Sequence, residues 1–203
     1  MHELEDREPS GPADALEIIR AQQAETAARI GPRVGYFFLI WGGAWLVIGV
    51  LYFLAGIGTV PGGVASWGTF ALVVVGIASS ALVGIRSGRG IAGGSAKQGM
   101  LYGLTWPVVM IGLGVLVGAM AGPLGLTGTQ LGLLVPALFA FVVGALYALS
   151  GAVWTYVPNF VTGLWVMAVG AGSVFVGLPA NSLVLGVGVG GALLVVGAWE
   201  LRR

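Results

Sequence analysis

Cysteine is absent from this chain, and charge and histidine are nearly absent from most of it. Without cysteine there is no disulfide, no thiolate metal site and no cysteine nucleophile. The one histidine is His2, and after Glu25 the only carboxylate is Glu200. General acid–base catalysis or a metal centre within the apolar part would need residues that are missing there. The expectation is a non-enzymatic protein with no cofactor, no metal site and no catalytic residue. Charged residues make up 8% of the chain, against roughly 25% in a soluble domain. Such a composition cannot cover a folded surface in water, and lipid is its natural solvent. A net charge of +1 with no basic run gives no reason to expect nucleic acid as a partner.

What the chain has in abundance is uninterrupted hydrophobic sequence. Residues 34–85 and 98–199 carry no charged side chain. A spanning helix needs about 20 apolar residues, so the first block holds two passes and the second four. Turn chemistry separates them at Pro61, at Pro123, across "SGAVWTYVPN" and at Pro179. The expected fold is all-α, with six transmembrane helices near 34–56, 65–85, 98–120, 130–149, 158–177 and 182–199. Residues 1–33 form a cytoplasmic tail and helix, and 34–203 the transmembrane domain. The first span reads as a retained anchor, because it is longer than a signal-peptide core and lacks a small-x-small cleavage site.

Basic residues set the orientation. Arg7, Arg20, Arg29 and Arg33 precede the first span, Arg86, Arg89 and Lys97 lie between the second and third, and Arg202 and Arg203 follow the sixth. Six spans with a cytoplasmic amino terminus put all of them on one side, so both termini are expected in the cytoplasm. The loop with Arg86, Arg89 and Lys97 is a candidate contact for anionic lipid headgroups, or otherwise a flexible basic linker.

The first eleven residues are acidic and without apolar periodicity, as in a disordered tail. Pro12 and Asp14 suit a first helical turn. Over 13–30, Leu16, Ile19, Gln23, Ala27 and Ile30 share one face, with Glu25 and Arg29 as a supporting i,i+4 pair. Gly31-Pro32 is expected to end this amphipathic helix. It either docks a cytoplasmic or membrane partner or lies on the headgroups.

Spans one, three and five each carry an aromatic followed by Trp, at Tyr36 and Trp41, Tyr102 and Trp106, and Phe160 and Trp165. Spans two, four and six carry glycine pairs at Gly76 and Gly84, Gly144 and Gly151, and Gly190 and Gly197. This is consistent with three copies of a helical hairpin. Trp41, Trp45, Trp106 and Trp165 are candidate aromatics of an inner vestibule, or else packing residues. Pro107 and Pro136 are candidate helix kinks, each removing a backbone bond and crowding the carbonyl of Gly103 or Gly132. Small residues four apart allow close helix approach, as at Gly114, Gly118 and Gly122 and at Gly186 and Gly190. Contacts inside the bundle are the plainer reading, a homo-oligomer interface the other. "GRGIAG" and "GVGVGG" match a phosphate-loop spacing but lack the strand, helix and acid that a dinucleotide site needs.

The stretch "LEIIRAQQAETAARIGPRVGYFFLIWGGAWLVIGV", with its helix at 16–23 and "WGGAW" from Trp41 to Trp45, resembles the opening of a group of uncharacterised bacterial six-transmembrane-helix proteins often labelled transporters. The resemblance implies a bacterial cytoplasmic (inner) membrane location and assigns no functional residue. The expected function is a transporter-like permease or channel for a neutral or hydrophobic solute. The alternative is an accessory or sensory subunit that engages its partner through 13–30.

Overall fold

The computed structural model describes residues 11–88 and 94–202, and among these the chain is helical with no strand. Helix α1 runs Pro12–Gly56, α2 Gly62–Gly88, α3 Gly94–Ala121, α4 Gly128–Val153 and α5 Val157–Ser173. A single 3₁₀ turn, Val174–Val176, extends α5. The sixth apolar segment is split into α6 (Ala180–Leu185), a π-helical turn (Gly186–Gly190) and α7 (Gly191–Glu200). Six stretches are long and apolar enough to cross a membrane: Val34–Gly56, Gly62–Arg86, Lys97–Ala121, Gly128–Val153, Val157–Val176 and Ala180–Glu200.

Local sequence sets several of these boundaries. Thr127 and Gln130 form a reciprocal capping box on α4: the Gln130 N–H donates to Thr127 Oγ1 at 3.3 Å, and the Thr127 N–H donates to Gln130 Oε1 at 2.8 Å. Pro12 and Pro158 sit in the first turns of α1 and α5, where no intrahelical donor is lost. The expected break at Gly31-Pro32 is not present, since α1 continues through both residues as one helix. Proline forfeits one hydrogen bond there, and those on either side carry the helix across it. Between residues 11 and 21 no described side chain is buried, and Leu16 is half exposed.

The core gathers on four of the six membrane-length segments. Phe38 of α1, Ala140 and Tyr147 of α4, Val166 of α5, and Leu185, Val189 and Leu193 of the sixth segment form one buried cluster. Two antiparallel glycine seams bring these helices together. Along α1, Gly35, Gly42, Gly49 and Gly56 recur every seven residues against the sixth segment. A Cβ at Gly42 would lie 2.9 Å from Leu194 N, and one at Gly35 3.0 Å from the Gly197 carbonyl oxygen. The second seam joins α4 to α5, where a Cβ at Gly144 would lie 2.6 Å from Met167 N and one at Gly170 2.9 Å from Phe141 N. Backbone meets backbone in both, and a seven-residue repeat keeps such a seam in register along a left-handed crossing.

The remaining two helices are peripheral. α2 packs on α1, and α3 has α4 as its main neighbour, with no packed interface between α2 and α3 among the described residues. The span Lys97–Ala121 contains no buried residue. Of the small-residue series on α3, Gly118 and Gly122 have nothing within 4 Å of an added Cβ, and Gly114 meets only Phe139 Cζ at 3.8 Å. That series therefore makes no close packing inside the described bundle, contrary to the plainer reading. The Gly186/Gly190 pair does, against α1. The tightest interfaces, α4 with α5 and α1 with the sixth segment, lie between different hairpins rather than within them.

Candidate functional site

Because α2 and α3 stand off the core, they leave a cavity of about 2560 Å³ between themselves, α1, α4 and the sixth segment. Its walls are mainly apolar. Phe38, Trp41, Trp45 and Ile48 come from α1, Val73 and Ile77 from α2, Trp106 and Met110 from α3, and Phe139 and Val143 from α4. Five aromatic side chains form a continuous run along it. Phe38 stacks on Tyr147 at 5.4 Å between centroids, and Trp106 meets Tyr147 edge-on at 5.3 Å. Tyr102 then meets Trp106 at 6.1 Å and Trp154 at 4.8 Å. Offset and edge-on pairs of this kind add about 0.5–1.5 kcal/mol each beyond area burial.

Polar side chains collect at the end of the cavity that carries Arg86, Lys97 and Arg202. Ser150 Oγ donates to the Tyr147 carbonyl at 2.8 Å and accepts from Asn159 Nδ2 at 2.9 Å. The Tyr102 hydroxyl donates to the Leu146 carbonyl at 3.2 Å, tying α3 to α4. Asn159 Oδ1 is buried with no hydrogen-bond partner among the described residues. Glu200, 3% exposed at the end of α7, lines the cavity and accepts a hydrogen bond from the Tyr156 hydroxyl. The turn that delivers Tyr156 is strained, with Thr155 at φ 52°. A β-branched residue rarely occupies that left-handed region, and such outliers persist where the surroundings fix a side chain in place.

Three of the four expected vestibule aromatics, Trp41, Trp45 and Trp106, line this cavity. Trp41 also donates its indole N–H to Ser80 Oγ at 3.1 Å and lies against Gly76, which fixes α2 to α1. Trp165 is a correction: it is exposed on α5, and its indole N–H donates to the Gly188 carbonyl at 2.9 Å. The π-helical turn shifts the backbone bonding of Gly186–Gly190, and Trp165 supplies a donor to a carbonyl there. Pro107 and Pro136 both line the cavity within helices that run unbroken through them, and Gly103 and Gly132, whose carbonyls they crowd, line it too. Arg86 and Lys97 are exposed at the facing ends of α2 and α3, while Arg89 lies outside the described residues.

The polar group formed by Tyr102, Ser150, Tyr156, Asn159 and Glu200 is not among the site residues expected from sequence. Glu200 reads there as an edge residue beside Arg202 and Arg203, and "SGAVWTYVPN" reads only as a turn. The available signal was composition: that stretch holds Ser150, Tyr156 and Asn159 within ten residues of an otherwise apolar chain. No group of three or more potential metal ligands occurs among the described residues. Comparisons with family models, curated proteins and solved structures return no match to this chain.

Proposed function

We propose that this chain is a non-enzymatic, multi-pass membrane protein that admits a neutral or hydrophobic solute to the cavity beside α3, in the manner of a permease or channel. The cavity carries the reading. At about 2560 Å³ it exceeds the roughly 300–1,000 Å³ of a drug-sized site, and its walls are hydrocarbon and aromatic rings. It lies in a bundle whose helices are suited to lipid on their outer faces. One-sided basic charge supports an orientation with the Arg86, Lys97 and Arg202 end in the cytoplasm, here of a bacterial inner membrane. An origin by triplication of a hairpin belongs to the same proposal and rests on the aromatic and glycine spacing alone.

The test uses two glycines of α3 that both have open space around them, Gly103 on the cavity wall and Gly112 away from it. Gly103→Phe adds a ring at the cavity wall, where an added Cβ meets nothing within 4 Å. Purified protein is titrated with hexadecane and with a neutral dye, following thermal unfolding. Wild type and Gly112→Phe are expected to be stabilised and Gly103→Phe not. Equal response of all three would overturn the assignment of the solute to this cavity.

A second reading, an accessory subunit engaging a partner through 13–30, is favoured by the continuity of α1. Its 45 residues correspond to about 68 Å of helix, about twice the hydrocarbon thickness, and no described side chain of 11–21 is classed as buried. A stoichiometric protein retained by the whole chain and lost on deletion of 12–30, with no solute-dependent stabilisation, would decide for it.

A further inference from the structure

The cavity has polar side chains at both ends, Tyr52, Thr69 and Ser182 at one and a denser group at the other, and it has a side that the protein does not close. At the Arg86 end its lining includes two phenols, a hydroxyl, an amide and a carboxylate: Tyr102, Tyr156, Ser150, Asn159 and Glu200. Over the rest of its length the lining is apolar apart from a few hydroxyls, of which Ser80 is engaged by Trp41. No packed α2–α3 interface separates this space from lipid among the described residues. A compartment with that polarity, reached from the bilayer, fits a molecule with a long hydrocarbon part and a small polar end.

The polar end also selects the kind of head. Glu200 is buried and accepts from the Tyr156 hydroxyl, so a head seats on the other groups of this end. A cationic head would compete for a carboxylate that Tyr156 already engages. The other groups are uncharged, and Asn159 Oδ1 is an acceptor lacking a donor among the described residues. A buried acceptor of this kind costs roughly as much as a lost hydrogen bond, and a ligand that meets it must turn the Asn159 side chain out of its bond to Ser150. A hydroxyl meets the requirement, since it both donates and accepts.

We propose that the cavity binds an uncharged amphiphile drawn sideways from the bilayer between α2 and α3. Its one or two long hydrocarbon chains lie along the aromatic wall, and its hydroxyl-bearing head, of the acylglycerol class, seats on Tyr102, Ser150 and Asn159. This rests on the cavity reading above and adds the chemical class and the direction of the ligand. On this proposal a plain alkane is the poorer ligand, because it makes no hydrogen bond to Asn159.

Tryptophan fluorescence tests it, because Trp41, Trp45, Trp106 and Trp154 all line the cavity. Trp67 and Trp199 are replaced by Phe, and Trp165 is kept for its bond to Gly188. The protein, in nanodiscs of unbrominated lipid, is titrated separately with dibromostearoyl glycerol, dibromostearate, dibromostearyl amine and dibromo-octadecane. The acylglycerol is expected to quench saturably at the lowest concentration. Asn159→Leu and Ser150→Ala are expected to raise its half-saturation by about two- to tenfold, the worth of one hydrogen bond, and to leave the alkane curve unchanged. The unchanged alkane curve shows that the variants are folded. Stearate or the amine saturating as tightly as the acylglycerol overturns the head-group assignment, as do variants that shift every probe alike. If no probe quenches saturably, the alkane included, the cavity reading itself fails.

Discussion

Alanine at residue 49 forces apart the two helices that carry most of the core. Its Cβ would sit 2.5 Å from the Gly186 Cα and 2.5 Å from the Ser182 carbonyl oxygen. Ordinary contact begins at 3.4 Å, so the seam must open by about 1 Å. Both obstructing atoms are backbone, and no change of rotamer removes them. A gap of that size forfeits roughly a quarter to a half of each contact it touches, and the seam runs on through Gly42 in one direction and Gly56 in the other. Overpacking costs about 1–3 kcal/mol as a rule, and the backbone-on-backbone geometry puts Gly49→Ala at the top of that range. Gly43 provides the control, on the same helix with nothing within 4 Å of an added Cβ. Gly43→Ala is expected to be neutral or, through helix propensity, stabilising by up to about 1 kcal/mol. Graded SDS unfolding in mixed micelles, followed by circular dichroism, compares the two. A difference of about 2 kcal/mol or more, roughly 30-fold in the folded-to-unfolded ratio, is expected. Coincident midpoints would refute the packing of α1 on the sixth segment.

Tyr102→Phe keeps the ring contacts but removes the 3.2 Å bond to Leu146, a loss of about 0.5–1.5 kcal/mol. Amide exchange should rise along α3 and stay constant in α4 and α5, and unchanged exchange in α3 would show that the bond does not hold it. For the orientation, cysteines at Thr155 and Arg202 should label only from the cytoplasmic side, and those at Gly62 and Leu124 only from outside, all four positions being exposed. Labelling of Thr155 from outside would reverse the proposed topology. Arg86→Gln with Lys97→Gln should lower retention of anionic lipid in native mass spectra by about 1 kcal/mol per residue, and unaltered retention would leave these residues as linker.

The six apolar helices were legible because the bilayer imposes its requirement on every residue of a span, and a run without charge is visible in one sequence. Which helix packs on which was not. Hydropathy is the same on lipid-facing and helix-facing sides when both are apolar, so the pairing depends on where side chains are missing. On α1 those positions recur every seven residues, at Gly35, Gly42, Gly49 and Gly56, and are hard to pick out among 37 glycines. The four-residue spacing at Gly114, Gly118 and Gly122 is the more conspicuous pattern, yet it meets almost nothing among the described residues. The vestibule aromatics were partly legible for a related reason. Trp41, Trp45 and Trp106 reach the cavity because α1 and α3 border it, whereas Trp165 is claimed by the Gly188 carbonyl on a π-helical turn that no hydropathy pattern reveals.

The same glycines account for the cavity. A helix that meets its neighbour backbone to backbone has no side chains on that face, so its bulky residues project elsewhere. On α1 they are Phe38, Trp41 and Trp45, and on α4 Phe139, Val143 and Tyr147, all on the side toward α2 and α3. Trp41 meets α2 at Gly76 and Ser80, and Tyr147 meets α3 at Trp106, with the cavity between these contacts. α3 has the least to bind it, since Gly99, Gly103, Gly112 and Gly118 have nothing within 4 Å of an added Cβ. What fastens it to α4 is Tyr102, through its hydroxyl to Leu146 and its ring to Trp154, together with Trp106 against Tyr147. Tyr102 is also part of the polar end where the head of a ligand is proposed to sit. Attachment of α3 and occupancy of the cavity therefore share one side chain. A ligand that competes for the Tyr102 hydroxyl loosens α3, and by linkage a loosened α3 favours that ligand to the same extent.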